Sequence, residues 1–206
     1  EILRALSELG ISAVCDLRTE HERLRDPAAL SDVHYYSRDY DMSGGDLKAL
    51  FATRFTREAA TAAMQATYAQ LPYEQAPSYQ ALFGMLLAGL VPVVHTCSAD
   101  KARTGAAAAL ILSLLGVPRD IVIHDYLLTN GAIESLHRTA LTSSSYGHFT
   151  SMAPEDYWPL LRAEQAYLDS AFASIDQRSG GLTGYVRDVL ELSPADIEQL
   201  QSMLLE

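Results

Sequence analysis

Two cysteines in 206 residues exclude a disulfide-stapled scaffold, and Cys15 and Cys97 are not spaced as zinc ligands. Basic residues are scarce as well. Fifteen Lys and Arg stand against 26 Asp and Glu, and a net charge of −11 argues against nucleic-acid binding or long-range attraction to an anionic membrane. Any anionic ligand must therefore be held locally. No apolar run approaches the roughly 20 residues of a membrane span, so stable membrane insertion is not expected. The chain begins at Glu1, within a helix-like stretch and without a signal segment. It reads as cytoplasmic, or as secreted if an export signal lies upstream of Glu1. What is plentiful is apolar surface: at 49% hydrophobic residues, one sizeable core and a single domain over 1–206 are expected.

Short apolar runs separated by helical patterns organise the chain. Ile11–Leu17, Val33–Ser37 and Val91–Thr96 are of strand length. Helical sequence is read at Ile2–Leu9 (closed by Gly10), from Glu20 after a Thr19/Glu22 capping box, and at about Asp46–Leu71 and Pro77–Leu87. It resumes at Thr104–Leu115, from Pro118 to near Gly131, over a long amphipathic stretch at Pro154–Arg178, and at Leu182–Leu190 and Pro194–Leu204, the last capped by Ser193. Ser143–Ala153 reads as loop. The pattern predicts an α/β fold: a small parallel sheet flanked by helices, with a helix-rich C-terminal half. Three strands are few for such a sheet, which suggests another upstream of Glu1.

One stretch carries chemistry. In "VVHTCSADKARTG" (Val93–Gly105) a cysteine ends an apolar strand and an arginine follows six residues later, where the next helix begins. Backbone N–H groups and the helix dipole converge at such a turn and favour negative charge, whether a thiolate or a bound phosphate. Arg103 has the planar fork that grips two phosphate oxygens, and Lys101 adds a point charge. Nucleophile, anion cradle (Ser98, Ala99, Asp100, Lys101, Ala102) and clamp thus share one loop. The matching reaction is displacement at phosphorus through a phosphocysteine, with a separate acid for the leaving oxygen and no metal or cofactor.

"CSADKARTG" resembles the signature loop of protein tyrosine phosphatases, specifically the bacterial PtpB-type tyrosine/serine/lipid phosphatases, whose usual form is HC-x-A-G-K-D-R-T-G. "LGISAVCDLRTEHER", "ILSLLGVPRDIVIHDYLLTN" and "GLTGYVRDVLELSPADIEQL" resemble further segments of that family. The resemblance implies a tyrosine-phosphatase-like fold, Cys97 as nucleophile, Arg103 as phosphate clamp and Thr104 as a hydroxyl that stabilises the leaving thiolate. It also implies phosphoprotein or phosphoinositide substrates, since family members that accept lipids share the lysine at position 101. An "NFRDLGG" segment, expected before Glu1, is absent.

Three positions depart from the family pattern: Asp100 replaces its glycine, Ala102 its aspartate and Thr96 its histidine. Asp100 pointing into the cradle would repel a dianion, whereas Asp100 pointing to solvent would spare turnover. His95 falls on the opposite face of the strand and reads as structural. Asp39 and Asp41, in "SRDYDMSGGD", are the candidates for the acid, and Asp46 reads as a helix cap. Asp16 and Arg18 read as an ion pair beside the site, Asp125 and Tyr126 as packing against the loop, and the stretch around Tyr146 and His148 as loop or lid. Cys15 reads as an inert core thiol, with a reversible link to Cys97 as the rival. Three functions fit: a cysteine phosphatase acting on phosphotyrosine, with phosphoserine, phosphothreonine or phosphoinositides as further substrates; a pseudophosphatase that binds phosphorylated partners; and an arsenate-reductase or sulfur-transfer enzyme.

Overall fold

A computed structural model of the protein describes residues 8–28, 33–40, 50, 54–142 and 152–205. Three short strands, β1 (Ala13–Asp16), β2 (His34–Ser37) and β3 (Val93–Thr96), form a parallel sheet in the order β2-β1-β3. Ala13 lies opposite His34 and Val93, and Asp16 opposite Ser37 and Thr96. The central strand, Ala-Val-Cys-Asp, is buried throughout, as a strand covered on both faces must be. Because the three strands end in register, the segments that follow Asp16, Ser37 and Thr96 gather at one end of the sheet, where open α/β sheets place their ligands.

Helices cover this sheet. In chain order they are α1 (Glu20–Arg25), α2 (Arg57–Glu74), α3 (Ala76–Leu87), α4 (Ala102–Leu114), α5 (Arg119–Leu127), α6 (Ile133–Thr142), α7 (Pro154–Leu161), α8 (Gln165–Ser179), α9 (Leu182–Asp188) and α10 (Pro194–Leu204). A 3-10 turn, Leu128–Ala132, joins α5 to α6. The main core packs Cys15 and Leu17 of the central strand region against Tyr68, Tyr79, Leu82, Tyr167 and the alanines of α4. At Gly105 a side chain has no room: a Cβ there would sit 2.8 Å from the ring of Tyr126. Tyr126 thus packs against the start of α4, and its hydroxyl meets that of Tyr68 at 2.6 Å.

The sequence pattern and the fold differ in four places. The helix expected from about Asp46 is interrupted at residues 54–56, because the Thr56 hydroxyl accepts from the Ala59 N–H and caps a new helix; residues 41–49, Asp41 and Asp46 included, lie outside the described residues. That helix then runs through Pro72 to Glu74, where the Tyr185 hydroxyl donates to the Pro72 carbonyl at 2.5 Å. The amphipathic helix α6 had no counterpart in the sequence reading. The long helix expected at Pro154–Arg178 is two, broken at residues 162–164, since groups far away in sequence take its backbone. Asn130 donates to the Ala163 carbonyl at 2.9 Å and accepts from the Ala163 N–H at 2.8 Å. Lys101 Nζ donates to the Leu160 and Arg162 carbonyls at 2.6 and 3.2 Å. The expected loop at Ser143–Ala153, with Tyr146 and His148, lies mostly outside the described residues.

Asn130→Ala should leave the buried Ala163 N–H and carbonyl unpaired, at a cost of about 2–3 kcal/mol. We expect the midpoint of thermal unfolding, followed by circular dichroism, to fall by about 4–10 °C.

Candidate active site

β3 delivers the site. It ends at Thr96, Cys97 follows, and the chain turns through Ser98–Asp100 into α4, whose N-cap is Lys101 and whose first turn holds Arg103 and Thr104. The first N–H groups of α4 have no partner within the helix, and its dipole adds positive potential at the same end. The Cys97 side chain is mostly buried at the head of this turn.

Arg103 is fixed more firmly than spacing alone could show. Its side chain is 8% exposed, and the guanidinium forks onto both oxygens of Glu22, at 2.7 Å each. It also donates to the Leu17 carbonyl and the Tyr40 hydroxyl, both at 3.0 Å, while the Tyr40 hydroxyl donates to the same carbonyl at 2.5 Å. Behind it, the Tyr79 hydroxyl donates to the Arg103 carbonyl at 3.1 Å. Burial works against the Arg103 charge, but the Glu22 carboxylate outweighs it and holds the guanidinium above its usual value. Burial likewise pushes the Glu22 carboxyl up. Arg103, the Ser98 hydroxyl at 2.5 Å and the Thr19 N–H at 2.8 Å overcome this and hold it at about 2.

Glu22 and Tyr40 are the site residues that sequence reasoning missed. The capping-box spacing did locate Glu22, and the box is present, with the Glu22 N–H donating to the Thr19 hydroxyl. Its second role was hidden, because Arg103 is 81 residues away. The adjacent Arg23 pairs with Asp39 and donates to the Arg18 and Arg38 carbonyls at 2.6 and 3.1 Å. Asp39 is thus tied to the same short helix that positions Arg103, with its own side chain 70% exposed.

The remaining candidates are placed as follows. Lys101 turns away from the cradle. Its ammonium is buried against the α7–α8 break, and that burial brings it down to about 7. Asp100 has left-handed backbone (φ 44°) and an exposed side chain. It folds back onto the loop, accepting from the Cys97 N–H, the Thr96 hydroxyl and the Thr104 hydroxyl. The Thr104 hydroxyl thus donates to Asp100 at 3.1 Å. Ala99 and Ala102 contribute backbone to the turn, with Ala102 the first residue of α4. Asp16 and Arg18 pair at 2.7 Å, joined by the Tyr35 hydroxyl at 2.5 Å from Asp16. Burial pushes His95 below its usual value, and its Nε2 is buried without a hydrogen-bond partner among the described residues. Cys15 is fully buried and donates weakly to the Ser78 carbonyl, and burial pushes its thiol up to about 12; Cys15 and Cys97 are both free thiols. No described helix is long and apolar enough to cross a membrane.

The model of the tyrosine phosphatase family matches residues 1–206. The chain is 31% identical to the triple specificity protein phosphatase PtpB of Mycobacterium tuberculosis, over 97% of this chain and 84% of that protein. It is 29% identical to a protein of Cupriavidus necator that carries the name of a tyrosine-protein phosphatase, over 98% and 73% of the two chains. A tyrosine-protein phosphatase of Nostoc commune is 26% identical over 97% of this chain and 68% of its own.

Glu22→Gln should leave the Arg103 charge buried without a counter-ion, destabilising the fold by about 3–5 kcal/mol near neutral pH. The folded-state value of Glu22 is depressed, so its contribution is fully present above its ordinary range, near 4.5, and is lost as pH falls toward about 2. Urea unfolding of both proteins at pH 7, 4 and 3 should therefore show the gap between them narrowing with acid.

Proposed function

The chain belongs to the tyrosine phosphatase family, and from that premise we propose that it hydrolyses phosphotyrosine through a phosphocysteine on Cys97. The observation that carries this reading is the Arg103 guanidinium, already oriented by Glu22 on the loop that presents Cys97. A clamp held before substrate arrives need not be reorganised as charge moves in the transition state. The Cys97 thiolate attacks phosphorus, forming an S–P bond as the bond to the tyrosyl oxygen breaks. Arg103 and the N–H groups of residues 98–103 hold the equatorial oxygens. A carboxylic acid gives its proton to the departing phenolate oxygen. The resulting carboxylate then takes a proton from water as that water attacks phosphorus. The S–P bond breaks, and inorganic phosphate and the thiolate are released.

For the acid, Asp39 and Asp41 remain the proposal. Asp39 follows β2 at the end of the sheet where Cys97 follows β3, and its ion pair with Arg23 must open before it can donate a proton. Phosphotyrosine is the favoured substrate. The lysine on which phosphoinositide recognition rested is turned into the protein, and the net charge of −11 opposes approach to an anionic membrane. The triple specificity named for the M. tuberculosis relative supports phosphoserine and phosphothreonine as additional substrates.

Release of p-nitrophenol from its phosphate ester tests the proposal. Cys97→Ser should abolish turnover, and Arg103→Ala should reduce it by about 10²–10³-fold. Replacing the acid should cost about 10²–10⁴-fold with a tyrosine phosphopeptide and much less with p-nitrophenyl phosphate, whose leaving group needs little protonation. Asp39→Asn and Asp41→Asn compared in this way identify the donor. Phosphate binding without Cys97-dependent turnover would favour the pseudophosphatase, and turnover that requires a thiol reductant would favour the third class.

A further inference from the structure

Two of the three departures from the family pattern meet at one atom. Asp100 Oδ1 accepts from the Thr96 hydroxyl at 3.0 Å, the Cys97 N–H at 3.1 Å and the Thr104 hydroxyl at 3.1 Å. Thr96 is the last residue of β3 and Thr104 lies in the first turn of α4, so the carboxylate ties strand end to helix start across the loop. We propose that Asp100 is a positioning residue, which with Thr96 and Thr104 sets the loop conformation that presents Cys97. This deepens, and rests on, the phosphatase reading above.

Several observations converge on this. Asp100 adopts a left-handed φ of 44°, a conformation in which glycine is at ease and in which an aspartate is retained when its short side chain bonds locally. A glycine there supplies the turn but no acceptor, whereas the aspartate supplies both. Threonine at position 96 supplies a matching hydroxyl on the adjacent strand end, so the two departures are joined by a hydrogen bond. The carboxylate also sits just before the N-terminus of α4, where negative charge is favoured. Three donors on Oδ1 turn a group that would repel a phosphate dianion into part of the loop's internal bonding. The loop's two cations are likewise engaged, Lys101 by backbone carbonyls and Arg103 by Glu22, so each charged side chain between Cys97 and Thr104 has a protein partner.

The hub and a repelling carboxylate predict different effects. With Asp100→Ala, kcat/KM for p-nitrophenyl phosphate should fall by about tenfold, and competitive inhibition by inorganic phosphate should weaken in parallel. The conservative Asp100→Asn, whose side-chain oxygen accepts the same three bonds, should rescue kcat/KM to within about threefold of wild type. Thr96→Val should act in the same direction as Asp100→Ala, and the double variant should lose less than the sum of the two. Hydrogen exchange of the Cys97 amide, followed by NMR, reads the hub without turnover: it should accelerate in Asp100→Ala and stay protected in Asp100→Asn. If both position-100 variants bind phosphate more tightly and turn over faster, Asp100 acts by repulsion and the proposal is overturned. Unchanged amide exchange in Asp100→Ala overturns it as well. A wild-type protein without Cys97-dependent turnover defeats the phosphatase reading instead, while the exchange measurement still decides whether the hub exists.

Discussion

The bidentate contact between Arg103 and Glu22 is the constraint on which the rest of the site depends. A guanidinium buried to this degree loses its hydration, at a cost of several kcal/mol, and the loss is offset only where geometry and further hydrogen bonds are good. Here Nη1 and Nη2 meet both carboxylate oxygens, and Nη1 also donates to the Leu17 carbonyl and the Tyr40 hydroxyl. Each acceptor comes from a segment just beyond the end of a strand. Burying the arginine therefore requires those strand ends to be in register, and the parallel order β2-β1-β3 brings them there.

Helix α1 shows how little packing such a role needs. Its six residues bury no side chain, and a helix of that length is not stable by itself. It is held by its capping box and by ion pairs on neighbouring residues, Glu22 toward Arg103 and Arg23 toward Asp39. One helix turn thus couples the clamp to the segment that carries an acid candidate. Lys101 pins the loop that follows β3 to the break between α7 and α8. The loop is tethered by its own basic side chains. In a protein of net charge −11, that gives them specific local partners in place of a diffuse positive patch.

Tyrosines provide the backing. Tyr79 holds the Arg103 carbonyl, and Tyr68 and Tyr126 join hydroxyl to hydroxyl beneath α4. The Tyr126 ring occupies the space that only glycine at position 105 leaves open. These side chains combine large buried area with a polar tip that must find a partner, and so define one arrangement of the helices around the loop. The Thr-Gly that ends the signature has a packing meaning here in its glycine and a hydrogen-bonding meaning in its threonine.

Periodicity and punctuation by themselves determined the α/β class, the three strands, most helices and the loop that joins Cys97 to Arg103, because each rests on contacts close in sequence. The Thr19 capping box and the Ser193 cap were readable for the same reason. Only the tertiary structure decided what each polar side chain faces. Glu22 read as a cap until Arg103 arrived from 81 residues away, and Lys101 read as a phosphate ligand until the α7–α8 break offered it carbonyls. The break itself was invisible, since the amphipathic pattern runs straight through it and the groups that stabilise it, Asn130 and Lys101, lie on other elements. Asp100 had two orientations open in the sequence; its side chain is exposed yet bonds back to the loop, because the hydroxyls and N–H that receive it converge only once strand, loop and helix are in place.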